Sequence, residues 1–263
     1  MQTSSLSDSS SICDRLISNL SDMGIYPGDT LLVHTSLKGL HTPGLAPEII
    51  IEALLELLGK EGTLFVPALS YANVTPDHPV FQINETPACI GALPECFRTK
   101  YAQCRSLHPT HSVCAAGRLA KKLTDRHALD DTPVGQFSPF RLLPEYHGKI
   151  LMLGCGLRPN TFMHGVEEYA GAPYPLARKR ISYTLTLEDG RQVMKEYYPH
   201  NFGSLEQRYD RLESLLSPGE LQSGPVLGGT AFLLDAAAAL TKGAQKIKAD
   251  PYYFVSGKKN GKL

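Results

Sequence analysis

The chain has 263 residues and 42% hydrophobic content, enough to bury a full core as one domain spanning 1–263. Lysine plus arginine and aspartate plus glutamate number 26 each, so the formal net charge is zero and no basic footprint of a nucleic-acid binder is present. No apolar run approaches the roughly 20 residues that cross a bilayer, so no membrane partner is expected.

The first dozen residues, MQTSSLSDSSSI, are polar and serine-rich, with neither the cationic start nor the apolar centre of a signal peptide. Residues 11 to 24 read as a first helix, and Tyr26-Pro27-Gly28-Asp29 as a turn into a strand at Thr30 to His34. Pro47 to Leu58 reads as a helix and Thr63 to Pro67 as a second strand, which together make the strand–helix–strand unit of a parallel sheet. Ser70 to Pro87 has no period; a loop of that length is uncommon and often functional.

Residues 91 to 99 and 117 to 124 read as helices flanking an extended segment, Ser106 to Ala115, and Gly135 to Pro144 is irregular. Ile150 to Leu153 is a short apolar run suited to a central parallel strand; Gly154 and Gly156 allow a sharp exit, and a helix begins near Thr161. Ile181 to Leu187 and Val193 to Tyr198 alternate around Asp189-Gly190 as a hairpin. Ser204-Leu205-Glu206 is read as opening a helix through Leu215, Gly228-Gly229 as opening a helix over 230 to 241, and Ala249 to Val255 as closing the pattern.

Six cysteines lie at 13, 89, 96, 104, 114 and 155 with no C-x-x-C pair, so reduced thiols in a cytoplasm are the expectation. The H-x-x-H pair His108 and His111 raises a metal, but Pro109 forbids a helix interior there and no further ligand follows at a suitable spacing; no metal is expected. His111 reads as a buried histidine, and His108 as a pocket residue beside Arg105 and Ser106. Gly154-x-Gly156 fails as a dinucleotide fingerprint because position 159 is proline, and G-x-S-x-G is absent.

His164 and Glu167 share a helix face at i, i+3. An imidazole there accepts a proton at neutral pH and Glu167 orients it, although a solvated helix face would carry the same pair. The segment Val33 to Gly39 places small hydroxyl residues and a glycine directly after a strand, where backbone N–H groups meet an anion or carbonyl, or where the hydroxyls merely cap a connection.

The segments VHTSLKGL at 33 to 40, IGALPECFR at 90 to 98, RSLHPTHSVCAAG at 105 to 117, VGQFSP at 134 to 139 and LGCGLRPNTFMHGVEE at 153 to 168 together resemble the aminoglycoside 3-N-acetyltransferase family. The likeness runs from about Val33 to the end of the helix expected after Gly228-Gly229. It implies a three-layer α/β/α sandwich with a mixed central sheet and an added β-hairpin. The implied reaction moves acetyl from acetyl-CoA to the 3-amino group of a 2-deoxystreptamine antibiotic by direct attack, with His164 as base and Glu167 beside it.

On the same resemblance Thr35, Ser36, Leu37, Lys38, Gly39, Arg105, Ser106, His108 and Ser112 hold coenzyme A. Tyr71 in the loop at 70 to 87 borders the acceptor, and Asp77, Glu85, Glu168 and Asp210 are the carboxylates available to a polycation. The expected partner is a small-molecule amine, and the chain is a monomer or homodimer. Three rival readings stay open: an acyltransferase for a non-antibiotic amine, a metal-dependent hydrolase built on His108, His111 and His164, and a coenzyme A-binding protein without catalysis.

Overall fold

The computed structural model describes residues 3–257 and opens with α1 (Thr3–Asp22), which starts well before the expected position. β1 (Thr30–Thr35), α2 (Pro47–Leu58) and β2 (Thr63–Pro67) follow as the sequence pattern predicts. Next come β3 (Val80–Gln82), α3 (Ala92–Lys100), β4 (Cys104–Arg105), β5 (Val113–Gly117), α4 (Ala120–Thr124), α5 (Pro139–Leu142), β6 (Lys149–Leu153) and α6 (Phe162–Ala170). The last third contains β7 (Ile181–Thr186), β8 (Gln192–Tyr197), β9 (Leu205–Gln207), β10 (Leu221–Val226), β11 (Gly229–Asp235), α7 (Ala236–Ala249) and β12 (Val255–Gly257).

Local sequence explains the main helices. Ile12, Leu16 and Leu20 recur every four residues and are all buried, so one stripe of α1 faces the sheet. Each fully buried leucine contributes about 1.5–3 kcal/mol. Pro47 occupies the first turn of α2, where its missing N–H costs nothing, and Gly59 closes that helix at φ 62°.

The main sheet has the order β10-β11-β6-β1-β2-β5-β4. β1 runs parallel to β2 and β6, while the outer pairs are antiparallel, so the sheet is mixed. Alternate side chains face opposite layers. Leu31, Val33, Leu151 and Leu153 pack with α1 and α2, whereas Leu32, Ile150 and Met152 pack with α6 and α7. The result is the expected three-layer α/β/α sandwich.

The expected hairpin is present as β7 and β8, and β3 joins it parallel to β7 in a separate three-stranded sheet. Phe81, Tyr183, Leu185 and Tyr197 fill its own small core.

Two helices expected near the C-terminal end are strands instead. Leu205–Gln207 forms β9, paired antiparallel with β12, and a 3₁₀ turn at Tyr209–Leu215 takes up the rest of that segment. Residues 229–235 form β11, and α7 begins only at Ala236. Ala231 and Leu233 point to one layer and Phe232 and Leu234 to the other; a strand buried on both faces reads as a continuous apolar run and mimics a helix. A Cβ on Gly229 would sit 2.1 Å from the Gly39 carbonyl oxygen, so that close backbone approach, not a helix start, explains the glycine.

Among the described residues no helix is long and apolar enough to cross a membrane, and all six cysteines are free.

Candidate active site

The first layer and the third meet at a topological switch. The chain leaving β1 continues to α2 on one face of the sheet, and the chain leaving the adjacent parallel strand β6 continues to α6 on the other. Such a divergence opens a crevice at the carboxyl ends of the two strands. A cavity of about 530 Å³ lies there, bordered by Thr35 from β1, Cys155 and Asn160 from the exit of β6, and His164 from α6. Its size is that of a small-molecule site.

β6 ends at Gly154, whose φ of 71° makes the sharp exit that the sequence anticipates. Eight residues later α6 starts and carries His164 and Glu167 on one face. Glu167 is fully buried, and its two carboxylate oxygens are occupied by phenols and imidazole. Tyr174 Oη donates to Oε1 at 2.8 Å, Tyr209 Oη donates to Oε2 at 2.9 Å, and His164 Nδ1 lies 3.2 Å from Oε2.

A carboxylate only accepts, so this network assigns the His164 proton to Nδ1, where Tyr209 Oη is also in reach at 2.8 Å. Nε2 is left with a lone pair on the cavity side of the ring. Burial, together with the neighbouring carboxylate, drives the Tyr209 phenol far above its ordinary pKa, so it stays a donor.

Two further imidazoles meet His164. His200 follows the β7–β8 hairpin, and His111 sits in the turn between β4 and β5; the His164–His200 and His111–His200 ring centroids are each 4.5 Å apart. His111 Nε2 and His200 Nδ1 are 3.1 Å apart. Burial first, and then the neighbouring imidazoles, holds both well below the ordinary histidine pKa, so both are neutral. His34 on β1 is pushed down to about 3, mainly by burial, and its Nε2 has no partner. Asn160, buried and at the cavity wall, has both amide atoms unpaired.

The structure sorts the expected residues into four groups. Thr35, Tyr71 and His164 line the cavity, with Glu167 directly behind His164. Ser36, Leu37, Lys38 and Gly39 form the turn after β1: Ser36 N–H donates to Leu153 O at 2.9 Å, Leu37 packs on the core, Lys38 is exposed, and Gly39 lies against the Gly154 backbone, where a Cβ would meet the carbonyl oxygen at 1.9 Å.

The expected coenzyme residues of the 105–112 block are all buried. Arg105 donates to Ser112 Oγ at 2.9 Å and to the carbonyls of Ile83, Thr86 and Ala68 at 2.9, 2.6 and 3.2 Å, so its guanidinium is spent on protein oxygens and is unsuited to a phosphate. Ser112 Oγ also donates to Ala68 O, and Ser106 Oγ pairs with His127 Nδ1 at 2.8 Å and accepts from Val113 N. His108 is buried, stacks on His127 at 5.1 Å, and its Nδ1 accepts from the backbone of Thr110 and His111.

Asp77 is an exposed loop residue outside the cavity. Glu168 turns inward, accepting from Val134 N at 2.9 Å with His200 Nε2 at 3.3 Å. Asp210 is paired with Arg208 at 2.7 Å and lies 3.5 Å from Arg158, which also holds Glu206 at 3.1 Å. The residues lining the cavity include Arg158 but no carboxylate. His200, Tyr209 and Tyr174 escape the sequence reading: they stand 36, 45 and 10 positions from His164, outside any helical or strand spacing.

A family model, aminoglycoside 3-N-acetyltransferase, matches residues 32–248, and the chain belongs to that family. It is 30% identical over 233 residues to aminoglycoside N(3)-acetyltransferase VII of Streptomyces paromomycinus, covering 81% of this chain and 78% of that one. The solved structure of AAC-IIIb in binary complex with CoASH matches with TM-score 0.76 at 27% identity, covering 89% of this chain and 95% of that one. The sisomicin-bound structure of AAC-VIa matches with TM-score 0.75 at 25% identity, covering 90% and 97%.

Proposed function

We propose that the chain transfers acetyl from acetyl-CoA to the 3-amino group of a 2-deoxystreptamine aminoglycoside, with His164 Nε2 as the base. One observation carries the assignment of the base: the buried Glu167 fixes the His164 proton on Nδ1 and so frees Nε2 on the cavity side. The relatives named for this reaction, and the coenzyme A complex of one of them, support the two substrates.

The acceptor is an ammonium ion at neutral pH and must lose a proton before its nitrogen can attack. His164 Nε2 takes that proton, and the imidazolium is stabilised by the carboxylate behind it. Nitrogen then bonds to the thioester carbonyl carbon, the C–S bond breaks, and sulfur leaves with the electron pair. Ammonium plus thioester thus give amide, thiol and one proton released to solvent.

The cavity wall suits a thioester arm. Asn160 offers an unpaired donor and acceptor, the complement of an amide, and His34 adds a neutral ring nitrogen. These uncharged groups fit the amides of a pantetheine chain. For a polycationic acceptor, Glu206 becomes available when an incoming ammonium displaces Arg158, while Asp210 keeps its pair with Arg208. Acetyl-CoA as donor supports a cytoplasmic setting.

The test is thiol release from acetyl-CoA with a panel of 2-deoxystreptamine aminoglycosides, simple polyamines and amino sugars, with His164→Ala as control. Turnover with an aminoglycoside that disappears in the variant is the expected result. Turnover confined to another amine moves the assignment to a non-antibiotic acceptor, and unchanged turnover in His164→Ala removes the base.

A further inference from the structure

Acetyl transfer by the route above needs one imidazole, yet three converge at the cavity. His111, His164 and His200 come from three distant segments, and each offers one ring nitrogen within 4.8 Å of the others. Zinc binds imidazole nitrogens at about 2.0–2.1 Å in a tetrahedron, which puts ligand nitrogens roughly 3.4 Å apart. His111 Nε2 and His200 Nδ1 already stand at 3.1 Å. The widest separation of the cluster has to close by no more than about 1.4 Å, within reach of side-chain rotation alone.

The outer nitrogens make the stronger case. A metal-bound histidine gives its other ring N–H to an oxygen that fixes its tautomer, often a carboxylate. Here every one of the three has that partner. His164 Nδ1 faces Glu167 Oε2 at 3.2 Å, His200 Nε2 faces Glu168 Oε1 at 3.3 Å, and His111 Nδ1 faces Thr110 Oγ1 at 2.9 Å.

We infer that His111, His164 and His200 form a binding site for a divalent transition-metal ion of the zinc class, three imidazoles and an open fourth position toward the cavity, and that its occupation inhibits acetyl transfer. Binding uses the lone pair on His164 Nε2 that the base needs, so metal and catalysis exclude each other; this inhibitory half rests on the reading of His164 as the base. Without metal, His111 Nε2–H donates to His200 Nδ1. On binding, the His111 proton moves to Nδ1 and the Thr110 hydroxyl turns to accept it, so three neutral imidazoles ligate without net proton release.

The experiment titrates the metal-free 263-residue chain with Co²⁺ as a spectroscopic zinc substitute and measures acetyl transfer in parallel. One equivalent with strong tetrahedral d–d absorption is expected, with displacement by Zn²⁺. Thr110→Val, which removes only the oxygen behind His111, is expected to weaken binding about 10- to 100-fold. X-ray absorption of the zinc-loaded wild-type protein needs no variant: three nitrogen neighbours support the site, and a sulfur or all-oxygen shell overturns it. Absence of saturable binding with acetyl transfer intact overturns the site and leaves His164 as base untouched. Stoichiometric zinc with undiminished transfer overturns the inhibitory half and removes His164 as base with it.

Discussion

Replacing Glu167 with glutamine tests the core of the proposed mechanism. The carboxylate accepts from Tyr174 at 2.8 Å, from Tyr209 at 2.9 Å and from His164 Nδ1 at 3.2 Å, in a position with no solvent exposure. A glutamine keeps one acceptor oxygen and replaces the other by a donor. With its oxygen toward Tyr174, its amide protons face Tyr209 Oη and His164 Nδ1. The histidine then relieves the clash by carrying its proton on Nε2, and the lone pair at the cavity is lost.

The same tautomer trap in a Ser-His-Asp triad costs about 10⁴ in turnover, and general-base catalysis contributes about 10²–10⁴. Glu167→Gln is therefore expected to lower kcat by about 10²–10⁴, or roughly 3–5 kcal/mol of barrier at 1.36 kcal/mol per tenfold. An unmade buried hydrogen bond costs a further ~1–3 kcal/mol of stability. The assay is thiol release at saturating acetyl-CoA, with circular dichroism and coenzyme A calorimetry to show that the variant is folded and binds. A folded variant with kcat within about threefold of wild type refutes the tautomer argument.

Three other outcomes follow from the structure. Arg105→Ala leaves four protein acceptors without their buried donor and is expected to cost about 3–5 kcal/mol in denaturant unfolding, while coenzyme A affinity of the folded protein holds; a specific affinity loss with unchanged stability would restore Arg105 as a phosphate ligand. Gly39→Ala forces a methyl group against the Gly154 carbonyl, so a loss of at least about 1–3 kcal/mol should appear as a lower Tm, and an unchanged Tm contradicts the close approach. Burial keeps His34, His108, His111, His127 and His200 neutral, with His34 and His127 at about 3. Their folded pKa values lie below the unfolded value near 6.5, so no penalty exists above that pH. As pH falls below it, the unfolded chain binds protons that the folded chain refuses. Stability should drop by up to about 1.4 kcal/mol per pH unit for each such histidine, and a urea midpoint that stays flat between about pH 7 and 5 would show that these rings remain solvated.

The residue order by itself determined the parallel core and its business end. Period and punctuation place β1, α2, β2 and β6, because an apolar run bounded by proline and glycine has few alternatives. The pairing of His164 with Glu167 is equally local, since three residues along a helix bring two side chains to one face. What the sequence could not separate was a strand buried on both faces from a helix, hence the misreading of β11, whose environment is set by its neighbours in the sheet.

Only the tertiary structure decided which polar residues meet. Arg105, Ser106, His108 and Ser112 look like ligand residues in a row, but the return of β5 along β4 gives each a partner in the interior: Arg105 bonds Ser112, Ser106 bonds His127, and His108 accepts from the Thr110 and His111 backbone. Conversely His111, His200 and Tyr209 share no spacing with His164 and reach it through a turn, the loop after a hairpin and a 3₁₀ segment. A hydrogen bond acts through a few ångströms of space whatever the number of residues between its partners, so local pattern reveals contacts within one element and is blind to those the fold creates between elements.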